Sequence, residues 1–182
     1  VDAAYFEAYD RFYDVIKTAD GSSTYTAFHL WGPGKTAKVQ CDHAALMSPG
    51  QFREFVQPSL QQQCDRLDHS DYHLDGKDAI CHLDALMEID SLDVLEWTPG
   101  AGKPDGGDPC WYPIYDKVRD AGKSLQILIC DDPPVPRDQI VPKIDAIVQR
   151  YGPDGLYFFI GETDRDTAQE LKRAAESRWT AD

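Results

Sequence analysis

The sequence predicts an α/β fold built from parallel βα units. From about residue 23 onward, short apolar runs alternate with longer segments that have helical periodicity. The segments between successive runs are long enough to be the crossover helices that parallel strands require. No composition shift, low-complexity tract or internal repeat divides the chain, so we assign residues 1–182 to one α/β domain.

The chain opens with an amphipathic helix, in which apolar and aromatic residues between Tyr5 and Ile16 recur at helical spacing. The turn DGSS follows it. The predicted strands are short runs rich in β-branched, aliphatic and aromatic residues, namely STYTAFHLW, AKVQCD, SDYHLD, LDVLEW, SLQILIC and GLYFFIG.

The clearest helix between two strands is SPGQFREFVQPSLQQQCDRL, in which Ser48 can cap the first turn and Pro49 fits its first position. Pro58 is expected to bend this helix. The face expected to be apolar comprises Phe52, Phe55, Val56 and Leu60. The other predicted helices are KDAICHLDALMEI, DPCWYPIYDKVRDAG, PRDQIVPKIDAIVQRYG and TDRDTAQELKRAAESRW, of which the second and third end at Gly122 and Gly152.

Five β-then-α units in succession require a parallel sheet, either open or closed into a barrel. A complete TIM barrel has eight such units and typically about 250 residues. The 182 residues have room for five units, and the chain starts inside a helical pattern. We therefore expect part of a barrel that belongs to a longer chain.

Composition narrows the partners that this chain can have. A formal charge of −14 argues against nucleic acid or an anionic membrane as a partner. No apolar run reaches the roughly 18 residues of a membrane span, and the N-terminus lacks the pattern of a secretory signal. The five cysteines are scattered, which argues against a disulfide framework or a zinc finger. We expect a cytoplasmic protein with a small-molecule substrate, which either self-associates or pairs with the rest of its parent chain to cover open sheet edges.

The stretch HLWGPGKT contains GPGKT, which looks like a phosphate-binding loop. The first glycine of that motif is missing, because His29 stands in its place, and a strand rather than a helix follows. We expect instead a strand-to-strand connection at the catalytic rim. Lys35 then meets either an anionic group of the substrate or a surface aspartate.

Three segments, CDHAALMSPGQFREFVQPSLQQQCDRL, YHLDG and LDVLEWTPGAG, resemble the C-terminal half of the uroporphyrinogen decarboxylase-like superfamily. The resemblance is greatest to a bacterial branch that is labelled decarboxylase-like or trimethylamine corrinoid protein-like, and it extends from Lys35 to Trp179. It implies a TIM barrel that decarboxylates porphyrinogens or transfers methyl groups between corrinoid proteins and thiols. Methyl-transferring members hold zinc with a His-x-Cys pair and a later Cys. At the matching positions this chain has His73, Asp75 and Glu162.

Acidic residues follow most of the predicted strands, where parallel α/β enzymes place their active sites. They are Asp42, Asp75, Glu96, the pair Asp131–Asp132, and Glu162. His73 and Asp75 lie two residues apart and so share one face of a strand. A His with two carboxylates could hold a divalent metal such as zinc or manganese. The alternative is an interior His73 and an Asp75 that caps the following helix.

Trp31, Trp97 and Trp111 are predicted at strand ends or loop starts, where aromatic planes beside carboxylates suit sugar rings or else pack over the rim. Cys130 could be a nucleophile, but a buried, unreactive thiol is favoured because Asp131 follows it.

The expected catalytic residues are Asp75, Glu96, Glu162 and His29. The expected substrate-binding residues are Trp31, Lys35 and Trp97, and the possible metal ligands are His73, Asp75 and Glu162. Three functions stay open: a decarboxylase-like enzyme that acts on a small acidic or hydroxylated substrate, a carbohydrate-processing enzyme, and a non-catalytic binding module.

Overall fold

The computed structural model describes residues 2–25, 28–129 and 134–180. It is an α/β structure whose parallel sheet is flanked by helices. The strands are β1 (Ser23–Tyr25), β2 (Leu30–Gly32), β3 (Thr36–Val39), β4 (His69–Asp75), β5 (Val94–Thr98), β6 (Ser124–Ile129) and β7 (Leu156–Ile160). The α-helices are α1 (Asp2–Ile16), α2 (Pro49–Gln51), α3 (Gln57–Arg66), α4 (Leu83–Met87), α5 (Tyr112–Asp120), α6 (Arg137–Tyr151) and α7 (Arg165–Ser177).

Five strands form the parallel sheet in the order β3-β4-β5-β6-β7, so each strand neighbours the next one in the chain. Helices follow each of these strands, which confirms the predicted succession of parallel βα units. Parallel register is set by pairs such as Thr36 with His69 and Leu125 with Leu156.

The predicted strand STYTAFHLW is wrong as a single strand. Its ends form an antiparallel pair, β1 with β2, in which Ser23 lies opposite Gly32. The chain reverses in the connection, where His29 adopts a left-handed backbone conformation with φ of 58°. This reversal separates the segment from the parallel sheet.

The helical segment after β3 begins as predicted. The Ser48 hydroxyl accepts a hydrogen bond from the backbone N–H of Gln51, and the Gln51 side-chain oxygen accepts one from the Ser48 N–H, which makes a capping box. A π turn over Phe52–Val56 then joins α2 to α3. It lies just before Pro58, which has no N–H to continue an α-helical ladder.

This π turn changes which side chains face the core. Phe52 and Leu60 are buried as expected, but Phe55 is 65% exposed, so its predicted place on the apolar face is wrong. The wider turn places residues 52, 56 and 60 towards the interior and leaves residue 55 outside.

The chain divides into two compact units. The first contains residues 1–74 and 78–94, and the second contains residues 75–77 and 95–182. Large buried side chains of the first unit include Phe52, Tyr72 and Leu74, and those of the second include Trp97 and Tyr115. The assignment of all 182 residues to one domain stays a prediction.

Helix ends in the second unit follow the sequence signals. Gly122, one residue after the C-cap Ala121 of α5, and Gly152, the C-cap of α6, have positive φ angles of 73° and 76°, as predicted for helix C-termini. Asp164 caps α7 by accepting a hydrogen bond from the backbone N–H of Thr167. In the part of the chain that the structure describes, no helix combines the length and apolar character that crossing a membrane requires.

Candidate functional site

Two ionisable side chains are buried beside each other in the first unit. Lys38 on β3 is 5% exposed and Asp71 on β4 is 2% exposed. They are register partners in the parallel pair, so their side chains leave the sheet on the same face. Adjacent strands lie only about 4.8 Å apart. Burial of one charge would be costly by itself, and an opposite charge at the neighbouring position offsets that cost.

His73 extends this arrangement along β4. It lies two residues beyond Asp71 and therefore on the same face, closer to the carboxyl end of the strand. Its ring centroid is 5.4 Å from that of Phe28, and the Lys38 ammonium lies over the same Phe28 ring. We call Lys38, Asp71, His73 and Phe28 the β3–β4 cluster.

The cluster combines groups that can act on an anionic substrate. Lys38 supplies a positive charge, Asp71 a carboxylate, and His73 an imidazole ring that can donate or accept a hydrogen bond. Phe28, from the connection between β1 and β2, adds an apolar surface over them. Charged groups of this kind held in a poorly solvated place are typical of active sites.

The sequence reasoning missed Lys38, Asp71 and Phe28. The signal for the first two was present, because Ala37 and Val39 alternate with Thr36 and Lys38 in β3. In β4, likewise, Tyr72 and Leu74 alternate with Asp71 and His73. The same period-two rule that paired His73 with Asp75 also reaches Asp71. Phe28 carried no such signal, because its position depends on the reversal at His29.

Glu96 lies on β5 in the second unit and is 2% exposed. It accepts a hydrogen bond from the Thr98 hydroxyl at 3.2 Å. Gln126 on β6 is equally buried. The predicted catalytic Glu96 is therefore a buried carboxylate with a polar neighbour, and its catalytic role stays a prediction.

Glu162 lines a cavity of about 240 Å³ in the second unit. The cavity lies at the carboxyl ends of β6 and β7, beside the start of α6. Its other lining residues are Ile129, Pro134, Val135, Ile140, Ile160 and Gly161. The predicted position of Glu162 just beyond a strand end is confirmed, and its side chain is exposed.

Asp75 is the last residue of β4, as predicted, and its side chain is exposed. Gly76 follows with a φ of 75°, and its N–H donates to the carbonyl of Thr98. Asp42, the first acidic residue of the predicted rim, begins a 3₁₀ segment over Asp42–Leu46 and accepts a hydrogen bond from Gln40. Both carboxylates are accessible to solvent.

The placement of Lys35 at the catalytic rim is wrong. GPGKT is a turn at the amino-terminal end of β3, the opposite end from that expected. The Lys35 ammonium pairs with Asp10 of α1 at 2.5 Å, and its backbone N–H donates to the Asp68 carboxylate at 2.8 Å. Of the two alternatives predicted for Lys35, the surface aspartate is the one found.

His29 and Trp31 belong to the β1–β2 hairpin rather than to the parallel sheet. The expected position of His29 at the end of its strand is wrong, because it lies in the connection between two strands. Trp31 is 67% exposed on β2. Its ring is accessible to a ligand, and its role in substrate binding stays a prediction.

Trp97 is fully buried and presents no ring surface to solvent, and its role in substrate binding stays a prediction. Its ring packs edge-to-face on Trp111 with centroids 5.0 Å apart. The Trp111 indole N–H donates to the carbonyls of Pro104 and Asp105. These two tryptophans pack in the second unit and present no open pair of aromatic planes to a sugar.

Among the residues that the structure describes, no group of three or more His, Cys, Asp and Glu side chains is placed to hold a metal ion. The predicted set of His73, Asp75 and Glu162 therefore gains no support there. Cys130 and the pair Asp131–Asp132 lie outside the described residues.

Comparison with models of known protein families and with curated proteins gives no match to this chain. The resemblance to the uroporphyrinogen decarboxylase-like superfamily accordingly stays a prediction.

Proposed function

We propose that this chain contributes five units of a TIM-type barrel in an enzyme of the uroporphyrinogen decarboxylase-like superfamily, and that the enzyme acts on a small acidic or hydroxylated substrate. The strand order supports this proposal, because an open doubly wound sheet reverses its order at a switch point whereas a barrel adds each strand beside the last. The edge at β7 is where further strands would pair, from the parent chain or from a second copy, whereas the β1–β2 hairpin contacts β3.

The observation that carries the proposal is the burial of Lys38 and Asp71 at paired positions of β3 and β4, with His73 beyond them. Apolar residues would stabilise this face of a sheet at least as well as a buried charge pair does. In a TIM-type barrel the same face points to the interior, and the carboxyl ends of its strands form the active site. We therefore infer that Lys38 and Asp71 are charged because of function rather than because of stability.

Decarboxylation suits these groups. When the bond to the carboxyl carbon breaks, CO₂ leaves and the electron pair stays on the substrate carbon, which must then take a proton. Lys38 binds an anionic group of the substrate and stabilises the negative charge that develops. His73 in its protonated form delivers the proton, and Asp71 keeps the local charge balanced.

Methyl transfer is the second activity that the resemblance implies. We rank it lower, because Asp75 and Glu162 occupy the positions where methyl-transferring members carry zinc thiolates. Elemental analysis of the purified protein for zinc and manganese tests whether these carboxylates hold a metal instead.

A thermal-shift screen of small carboxylic acids and polyols tests the proposal. A ligand at about 100 times its Kd stabilises a protein by about 2.7 kcal/mol, which corresponds to a rise in Tm of about 5–11 °C for a chain of this size. Lys38→Met is expected to abolish the shift. Lys172→Met, on the exposed surface of α7, is the matched control that should keep it.

If Lys38→Met does not fold, His73→Gln replaces it, since His73 is only half-buried. No stabilisation by any acid or polyol, or an equal shift in the wild type and the Lys38 or His73 variant, would refute the proposed site.

A further inference from the structure

The cavity beside Glu162 has the features of a separate binding site for a small ligand. Four of its lining residues carry aliphatic side chains, namely Ile129, Val135, Ile140 and Ile160, and Pro134 adds a fifth apolar surface. At about 240 Å³ it is larger than an apolar cavity of about 150 Å³ that is known to bind benzene. It also lies where parallel α/β proteins bind ligands, at the carboxyl ends of two adjacent strands.

Glu162 is the one charged residue that lines this cavity among the described residues. The nearby Asp164 differs from it, since Asp164 caps α7 and pairs with Arg137 at 2.9 Å. In the described part of the chain, the Glu162 carboxylate has neither a hydrogen bond nor an ion pair. It is therefore the carboxylate that a ligand can engage.

We propose that this cavity binds a small alkylammonium ion, with the alkyl group against the aliphatic side chains and the ammonium group donating to Glu162. A charge-assisted hydrogen bond selects a cationic donor over a neutral alcohol of the same length. A carboxylate of the same length is repelled by Glu162. The aliphatic lining selects a longer alkyl chain over a shorter one until the cavity is filled.

This inference goes beyond the proposed function and does not depend on it. The β3–β4 cluster belongs to the first unit, whereas every lining residue of the cavity belongs to the second. Loss of ligand binding here would leave the thermal-shift test on Lys38 untouched.

The test is a titration with n-butylammonium chloride, followed by two-dimensional ¹H–¹⁵N NMR of the whole chain. We expect the largest amide shifts at Ile129, Ile140, Ile160, Gly161 and Glu162. Ethylammonium should bind more weakly by about fourfold per missing methylene, as about 0.8 kcal/mol per buried CH₂ requires. 1-Butanol should bind more weakly than n-butylammonium, and butyrate should cause no shifts at these residues.

Two variants separate the charge from the cavity. Glu162→Gln is expected to weaken n-butylammonium binding by about three- to tenfold, with little effect on 1-butanol. Val135→Phe fills the cavity from a half-buried position and should abolish binding of both. Glu170→Gln, on an exposed position of α7, removes the same charge elsewhere and should bind as the wild type does.

The proposal is overturned if n-butylammonium shifts no amide around the cavity, or if Glu162→Gln and Glu170→Gln bind it equally well. Since Glu162 is exposed, its variant is expected to fold, so the result is decisive even if Val135→Phe does not.

Discussion

Removal of either charge from the buried Lys38–Asp71 pair should destabilise the protein far more than removal of both. Asp71→Leu leaves the Lys38 ammonium at a 5% exposed position without its neighbouring carboxylate, and Lys38→Met leaves Asp71 in the same situation at 2% exposure. Loss of one partner of a buried pair costs about 3–5 kcal/mol. For a chain of this length, that cost lowers Tm by about 6–20 °C.

The double variant Lys38→Met/Asp71→Leu places two apolar side chains at paired positions of β3 and β4, which is often neutral or even stabilising. A double-mutant cycle from urea unfolding at pH 7 should therefore give a coupling energy of at least about 2 kcal/mol. The control cycle uses Lys172→Met and Glu176→Gln, an exposed pair 3.8 Å apart on α7, for which the coupling should stay below about 1 kcal/mol. Additive costs at Lys38 and Asp71, within about 0.5 kcal/mol, would refute the coupling of these two charges.

Three further predictions concern single carboxylates. Asp75→Asn should keep the wild-type Tm and lose activity, because an amide still caps a helix but is neither a general base nor a good metal ligand. If Asp75 is only a cap, Asp75→Ala should lower the free energy of unfolding by about 0.5–2 kcal/mol, and the Asn variant should keep full turnover. Asp164→Ala should lower Tm at pH 7. The N–H groups at the start of α7 lower the pKa of Asp164, so its contribution to stability is present above the usual pKa of an aspartate and is lost as the pH falls through the lowered value. The Tm values of the wild type and Asp164→Ala should therefore converge in acid, and a Tm difference that stays constant with pH would contradict this. Although Cys110 is exposed, desolvation of its thiol and the nearby Asp108 carboxylate raise its pKa to about 11. Asp108→Asn should therefore speed alkylation of Cys110 at pH 8, as measured by mass spectrometry, and an unchanged rate would count against the effect of that carboxylate.

The parallel part of the fold could be predicted from the sequence because its strands and helices are determined by residues close together in the chain. SDYHLD, LDVLEW, SLQILIC and GLYFFIG correspond to β4, β5, β6 and β7 with small differences at their ends. Ser48, Gly122 and Gly152 mark helix ends through side-chain and backbone chemistry that acts over a few residues. Such signals do not depend on the rest of the molecule.

The sequence-based predictions were wrong where contacts between distant parts of the chain determine the local structure. The reversal at His29 turned one predicted strand into a hairpin. None of the residues between β1 and β2 is a glycine, which would have indicated a left-handed position. Residues alternate along β5, so Trp97, whose role in substrate binding stays a prediction, faces the opposite side of the strand from Glu96 and enters the core. Lys35 was placed at the wrong end of β3 because the hairpin, rather than a strand of the sheet, precedes it.

The candidate site was predicted only in part. Acidic residues at strand ends were found, since Asp75 and Glu162 follow β4 and β7 directly. The pairing of Lys38 with Asp71 needed the register of two strands that are about 30 residues apart in the chain, which sequence patterns do not supply.

We propose that the substrate binds to the face of β3 and β4 that carries Lys38, Asp71 and His73. The most direct measurement is an NMR experiment that detects nuclear Overhauser contacts between protein side chains and the small acid that gives the largest thermal shift. We expect contacts from the ligand to the ring protons of His73 and Phe28, and we expect Lys38→Met to abolish them. A bound acid whose contacts lie only elsewhere, with none to either ring, would contradict the claim.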